Sequence, residues 1–279
     1  MEIFEGADGT RLAYHRSGEG EPLVCLPGGP MQASAYLGDL GGMSAYRSLL
    51  RLDLRGTGES AIPAEAATYR CDRQVADVEA LRSALGVDRL DLLGHSAGAS
   101  LALLYAARHP ERVGALVLVT PSPIVVGLMV ADLQRRAVAE LRQGEPWYPA
   151  AFAALQRSWS GAATVDDWAA ITPFTWGRWD EASRAEAARQ ASGKNAEAAA
   201  VYYADGAVDS RTVRAALADR DAPVLIVAGE YDVALPPKVA VEYATLFPRG
   251  ESVVLPGCGH QPWLDDPGGF RRALTAYLT

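Results

Sequence analysis

The sequence predicts an α/β protein: a mostly parallel sheet with helices on both faces and a helical insertion between two late strands. Three observations predict it. Short apolar runs near residues 11–16, 23–26, 48–53, 90–93, 115–119, 224–228 and 252–255 alternate with helical stretches, the pattern of parallel strands joined by helical crossovers. Val224-Leu225-Ile226-Val227-Ala228 is apolar throughout, as a strand buried on both faces must be. After Pro121-Ser122-Pro123 the character changes: residues 124–220 are rich in Ala, Arg, Glu and Trp and contain no buried-strand run.

These 279 residues can hold one substantial core, or a core plus an inserted subdomain. The expected division is a core of residues 1–121 and 222–279 with a helical cap of residues 122–221. Within the core, Val75, Val78, Leu81 and Leu85 repeat at helical spacing, and Gly86 supplies the stop of a helix over 71–85. The formal charge of −8, without a Lys/Arg run, argues against nucleic acid as a partner, because phosphate binding needs clustered positive charge. Cys25, Cys71 and Cys258 lie in separate segments and form neither a disulfide framework nor a zinc spacing. No run of eighteen apolar residues occurs, and Met1-Glu2-Ile3-Phe4-Glu5 lacks basic and long apolar regions. A cytoplasmic protein without a membrane partner is expected.

The stretch richest in chemistry is Gly94-His95-Ser96-Ala97-Gly98, between the apolar run 90–93 and the helical pattern that starts at Ala99. A strand turning sharply into a helix forces its central residue into an unfavourable backbone conformation, and small neighbours at 94 and 98 relieve the crowding. Ser96 is therefore the candidate nucleophile. The backbone N–H of Ala97 falls at a helix N-terminus, where it can donate to developing negative charge.

A serine hydroxyl is a weak nucleophile and needs a base oriented by a third group. Four histidines are present. His95 adjoins Ser96 and its side chain should diverge from it, His15 lies in a strand pattern, and His109 precedes Pro110 at a helix end. His260, in the Gly-rich loop Pro256-Gly257-Cys258-Gly259-His260 after the run 252–255, is the candidate base. The orienting acid should follow another strand, and Gly229-Glu230-Tyr231-Asp232 follows the run 224–228. Asp232 is the choice, with Glu230 as its competitor. A second oxyanion donor is expected from Pro27-Gly28-Gly29-Pro30-Met31, after the run 23–26. Pro30 has no N–H, so Gly29 is the first candidate donor and Met31 the second.

These segments resemble the α/β-hydrolase superfamily and, within it, the proline iminopeptidase branch of serine peptidases. Pro27-Gly28-Gly29-Pro30-Met31 is similar to that branch's His-Gly-Gly-Pro-Gly loop, and Asp53-Leu54-Arg55-Gly56-Thr57-Gly58-Glu59-Ser60 to its Asp-Gln-Arg-Gly-x-Gly-x-Ser turn. The chain order Ser, Asp, His is the one associated with this superfamily. Positions 27, 31, 95 and 97 depart from the branch pattern. The resemblance implies an α/β-hydrolase fold with an inserted cap and no metal or organic cofactor.

The cap segment holds Trp147, Trp159, Trp168, Trp176 and Trp179, five of the six tryptophans. Their rings can line a pocket over Ser96 or fill the core of the cap itself. Trp176-Gly177-Arg178-Trp179-Asp180 is similar to the Trp-x-x-Trp-Glu segment of iminopeptidase caps, which implies that Asp180 holds a substrate's free amino group. A solvated helix-terminal acid is the alternative, and the second acid expected before the aromatic pair Tyr202-Tyr203 is not found. Trp176, Trp179 and Tyr36 are the further candidate substrate contacts. The expected activity is hydrolysis of a carboxylic ester or an N-terminal aminoacyl amide, on a small-molecule or short-peptide substrate, through an acyl-enzyme on Ser96. The rival of a different class is a non-catalytic receptor-like binder of a small ligand.

Overall fold

A computed structural model describes residues 1–219 and 221–278. Eight strands form one sheet: β1 (Glu2–Glu5), β2 (Arg11–Ser17), β3 (Pro22–Leu26), β4 (Ser48–Asp53), β5 (Leu90–His95), β6 (Val113–Val119), β7 (Val224–Gly229) and β8 (Gly250–Leu255). Their spatial order is β1-β2-β4-β3-β5-β6-β7-β8. β2 pairs antiparallel with β1 and with β4, and every other pairing is parallel.

Strand β1 was not among the expected runs. Its apolar residues are the adjacent pair Ile3 and Phe4, too short a run to read as a strand, and only Phe4 is buried; pairing with β2 holds it. The central strands show the opposite. Successive residues point to opposite faces, and Leu92, Leu116, Leu118 and Ile226 enter one core cluster while Leu93, Val117, Val119, Leu225 and Val227 enter another. Both faces being covered explains the unbroken apolar runs. Truncating one such side chain, Leu93→Ala for instance, should cost about 2–5 kcal/mol.

Helix α1 (Cys71–Leu85) has the expected bounds and ends on left-handed Gly86. α2 (Ala97–Arg108) follows β5 directly and is buried from Ala97 through Ala106. Between β6 and β7 lie α3 (Asp132–Ala139), α4 (Tyr148–Trp159), α5 (Val165–Ala170), α6 (Glu181–Ala191), α7 (Ala196–Tyr202) and α8 (Ser210–Ala218). After β7 come α9 (Pro237–Ala244), α10 (Pro262–Asp265) and α11 (Pro267–Tyr277).

The insertion expected as a single cap divides in its packing. Val138, Ala139, Ala151, Leu155 and Phe174 make a separate small cluster, with Trp147 and Trp159 packed against it. Ala198 and Tyr202 of α7 and Val213 and Leu217 of α8 instead join the main core cluster. Their apolar faces meet the sheet-covering layer. Trp168 is 58% exposed.

Candidate active site

The β5–α2 turn puts Ser96 at φ 52°, ψ −116°, a conformation that costs a non-glycine residue and persists only when its surroundings impose it. They do so by hydrogen bonds. The Ser96 N–H donates to Val119 O at 3.0 Å, and its carbonyl accepts from Ala99 N and Ser122 N, each at 3.1 Å. The glycines on either side are sterically required. A Cβ at 94 would lie 2.6 Å from Ala99 Cα, and one at 98 would lie 2.2 Å from Leu26 O.

Beyond β7, Asp232 is 1% exposed and its carboxylate is fully occupied. Oδ1 accepts from Ala234 N at 2.8 Å, and Oδ2 lies 2.8 Å from His260 Nδ1. The carboxylate can only accept, so Nδ1 carries the proton and Nε2 is left with a lone pair. Glu230 is used differently: its Oε2 accepts from Gly257 N at 2.8 Å and tethers the turn that leads to the histidine. The structure thus separates the two competing acids. Burial works against a charged His260 ring, but the charge of Asp232 and its hydrogen bond prevail and raise the imidazole above its ordinary 6.5.

The main chain of His260 is held from three sides. Its N–H donates to Thr175 O at 2.8 Å, and its carbonyl accepts from Thr120 Oγ1 at 2.9 Å and from His95 Nε2 at 3.0 Å. The ring centroids of His260 and His95 are 4.9 Å apart, which brings His260 beside the residue that precedes Ser96.

In the loop after β3, a Cβ on Gly28 would sit 2.9 Å from Ser96 Cβ, so glycine alone lets this loop approach the serine. The Gly28 N–H is committed to Tyr36 Oη at 2.7 Å. Gly29, at φ 115°, has its carbonyl bonded by Lys194 Nζ at 3.3 Å, and its N–H has no hydrogen-bond partner among the described residues. Met31 is fully buried, with its carbonyl accepting from Asn195 N at 3.0 Å. Ala97 N–H opens α2, where no carbonyl one turn back within the helix can accept it.

Tyr36, expected as a substrate contact, lines a cavity with Gln32, Glu186 and Gln190 and is also a hydrogen-bonding link. Its hydroxyl lies 2.6 Å from His95 Nδ1. The connection is not legible in the sequence: Tyr36 and His95 share no spacing pattern, and the sequence predicts only that the His95 side chain diverges from Ser96.

The candidate recognition residues of the cap make no hydrogen bond to Ser96, Asp232 or His260 among the described residues. Trp176 is buried, with its carbonyl accepting from Arg142 Nη1 at 2.9 Å, and its ring lies 6.2 Å from that of Trp179. Asp180 is the N-cap of α6: Oδ1 accepts from Ser183 N at 2.9 Å and Oδ2 pairs with Arg178 Nε at 3.1 Å. The bonds from Ser183 keep its carboxyl below the ordinary range, with Arg178 adding to the effect. Trp176 and Asp180 do line one cavity of about 180 Å³, with Arg178, Glu186, Leu264 and Asp265, but neither Ser96, Asp232 nor His260 lines it. The helix-terminal use of Asp180 is the one the structure displays.

Strand order, elbow, acid turn and histidine loop can be set beside known proteins. The family model for the α/β hydrolase fold matches residues 21–267. The chain belongs to the α/β-hydrolase fold family. It is a hydrolase of that family, 30% identical over 276 residues to a proline iminopeptidase of Xylella fastidiosa, covering 91% of this chain and 88% of the relative. A proline iminopeptidase of Levilactobacillus brevis is 27% identical over 271 residues, covering 92% and 88%. Among solved structures, an esterase from Exiguobacterium antarcticum superposes with TM-score 0.74 at 18% identity, covering 99% of this chain and 98% of its own. The proline iminopeptidase of Mycobacterium smegmatis does so with TM-score 0.73 at 24% identity, covering 99% and 97%. Among the described residues no helix is long and apolar enough to cross a membrane.

Proposed function

We propose that this hydrolase cleaves carboxylic esters of small neutral molecules through an acyl-enzyme on Ser96. The observation that carries the reading is the 2.8 Å bond between buried Asp232 and His260 Nδ1, which leaves Nε2 as a base beside the strained turn that displays Ser96.

In this mechanism Ser96 Oγ attacks the carbonyl carbon while His260 Nε2 takes its proton. The carbonyl π electrons move to oxygen, and the N–H groups of Ala97 and Gly29 hydrogen-bond the oxyanion. Collapse re-forms the carbonyl and breaks the bond to the alcohol, which leaves with the proton from His260. Water then attacks the acyl-enzyme with its proton passing to His260, and the second collapse releases the acid and returns the proton to Ser96. Asp232 keeps Nδ1 protonated and stabilises the imidazolium. The substrate partner is a small molecule, with the Trp176 and Trp179 region as the cap wall nearest the histidine loop.

The preference for a neutral ester follows from Asp180. A buried substrate ammonium needs a carboxylate partner, and this carboxylate already caps α6 and pairs with Arg178. Cleavage of an N-terminal aminoacyl amide is the second reading, favoured by the 30% identity to an iminopeptidase.

The test is labelling with active-site phosphonates followed by peptide mass spectrometry, alongside a panel of p-nitrophenyl esters and Pro- and Ala-nitroanilides. A single adduct on Ser96 and ester turnover are expected. An adduct elsewhere, or no adduct and no turnover across the panel, overturns the reading.

A further inference from the structure

The protons between the loop after β3 and the histidine loop can be assigned one by one. Gly28 N–H can only donate, so Tyr36 Oη accepts it at 2.7 Å. The one proton of Tyr36 then goes to His95 Nδ1 at 2.6 Å, leaving the His95 proton on Nε2, where it reaches the carbonyl of His260 at 3.0 Å. Every donor meets an acceptor in a single direction. The edge of Trp263 packs on the His95 ring at 4.8 Å and 88°, which fixes the plane of that ring.

We propose that Tyr36 and His95 form a positioning relay that holds the Gly28-Gly29 loop and the backbone of His260 in one geometry around Ser96. The inference rests on the acyl-enzyme reading above. In this role each acts through another residue: Tyr36 through Gly28 and His95, and His95 through the carbonyl of His260. Gly28, fixed by Tyr36, leaves Gly29 as the loop's unpaired donor. His260, fixed at its carbonyl, can turn its ring only about its side-chain bonds, and Asp232 then sets that rotation.

Two further features fit this role. Thr120, the second donor to the His260 carbonyl, sits at φ 42°, a region where a β-branched residue is strained. Such strain persists where surrounding structure imposes it, and it clusters at functional sites. His95 must also stay neutral, because a second positive ring 4.9 Å from His260 would oppose the charge that His260 acquires during attack. Burial, with the nearby charge of His260 acting in the same direction, holds His95 well below the ordinary imidazole range.

The experiment compares Tyr36→Phe, His95→Leu, the double variant and His95→Gln, with kcat expressed per phosphonate-titrated site on one p-nitrophenyl ester. Misplacing catalytic groups by about 1 Å costs on the order of 10²-fold. Each single variant should therefore lose about that factor in kcat with KM little changed. The double variant should lose no more than the worse single, since parts of one unit are not additive. The Gln amide can still donate to the His260 carbonyl, so His95→Gln should recover most of the loss. Losses that multiply in the double variant, or kcat per site unchanged in Tyr36→Phe, overturn the relay. Where His95→Leu does not fold, Tyr36→Phe decides by the same readout. If the unaltered enzyme takes no adduct and turns over nothing, the acyl-enzyme reading has failed. The relay is then judged by the imidazole nitrogen resonances of His260: a shift in Tyr36→Phe sustains it, and unmoved resonances overturn it.

Discussion

The backbone N–H of His260 donates to the carbonyl of Thr175 at 2.8 Å, so the segment inserted between β6 and β7 holds the loop that carries the proposed base. Asp265 reinforces the join. Its Oδ2 accepts from Gly177 N at 2.9 Å and from Gly259 N at 2.8 Å, one donor from each side. A Cβ on Gly259 would lie 2.6 Å from Thr175 O, so the two backbones meet where only glycine fits.

That join makes Asp265 a test of cap docking. Asp265→Ala leaves two N–H groups without their acceptor and should destabilise by about 1–3 kcal/mol for each that stays buried. Asp265→Asn keeps an acceptor oxygen and should retain activity. Burial raises the carboxyl of Asp265 above its ordinary value, the two backbone bonds opposing this only in part. A raised carboxyl contributes stability that is full below the unfolded-state pKa and is lost as pH rises through the folded one. Asp265→Asn should therefore compare more favourably with the unaltered protein at pH 7 than at pH 4, which urea unfolding at the two values measures.

Asp232 and Glu230 should separate sharply in kinetics. Asp232→Asn lets His260 adopt the wrong tautomer and should lower kcat by about 10⁴-fold. Glu230→Gln keeps an acceptor for Gly257 N and should have little effect. The pH profile gives an independent check. His260 acts when neutral, and its folded pKa lies above 6.5, so kcat/KM should rise with pH and reach half its plateau above that value. In Asp232→Asn any residual activity should titrate lower, because burial then acts on the imidazole without the carboxylate. Linkage has the matching sign: the stability His260 gains from Asp232 is full below 6.5 and fades as pH rises through the folded value. A greater loss in Glu230→Gln than in Asp232→Asn would assign the wrong acid.

What could be read from the chain was whatever depends on local pattern. Ser96, His260 and the pair Glu230/Asp232 each follow an apolar run, and residues at the ends of such strands are carried to one edge of a parallel sheet. Both acids lie in one turn, with Asp232 the sequence's choice, and the structure adds the physical difference: Asp232 bonds the imidazole while Glu230 bonds Gly257 N. β1 escaped because its only apolar residues, Ile3 and Phe4, are an adjacent pair too short to read as a strand. Tyr36 and His95 escaped because their meeting is set by the approach of two loops, which leaves no spacing in sequence. The helix-terminal place of Asp180 was one of the two readings the sequence left open, and the structure adds its bonds to Ser183.

Gly98 carries a prediction about the elbow itself. A Cβ at this position would lie 2.2 Å from Leu26 O and 2.5 Å from Pro27 O, both backbone atoms of the strand end that leads into the Gly28-Gly29 loop. Neither can yield without moving that loop away from Ser96. Gly98→Ala should therefore cost about 1–3 kcal/mol in overpacking, and should lower kcat more than it raises KM. Urea unfolding and ester kinetics on one preparation test both parts.

Asp180 decides how far the likeness to iminopeptidases extends into the cap. Were its carboxylate the partner of a substrate ammonium, Asp180→Ala would abolish cleavage of Pro- or Ala-nitroanilide and spare a neutral ester. Its observed bonds argue for the opposite result: Oδ1 accepts from Ser183 N, Oδ2 pairs with Arg178, and Ser183 Oγ returns a bond from Asp180 N at 2.9 Å. The expected outcome is that Asp180→Ala lowers the unfolding midpoint by loosening the first turn of α6, while the ratio of kcat/KM for a neutral ester to that for an aminoacyl amide stays unchanged. Asp180→Ser, which keeps a capping oxygen, should restore the midpoint. A selective loss on the amide, with the midpoint unmoved, would instead place the substrate's amine at Asp180.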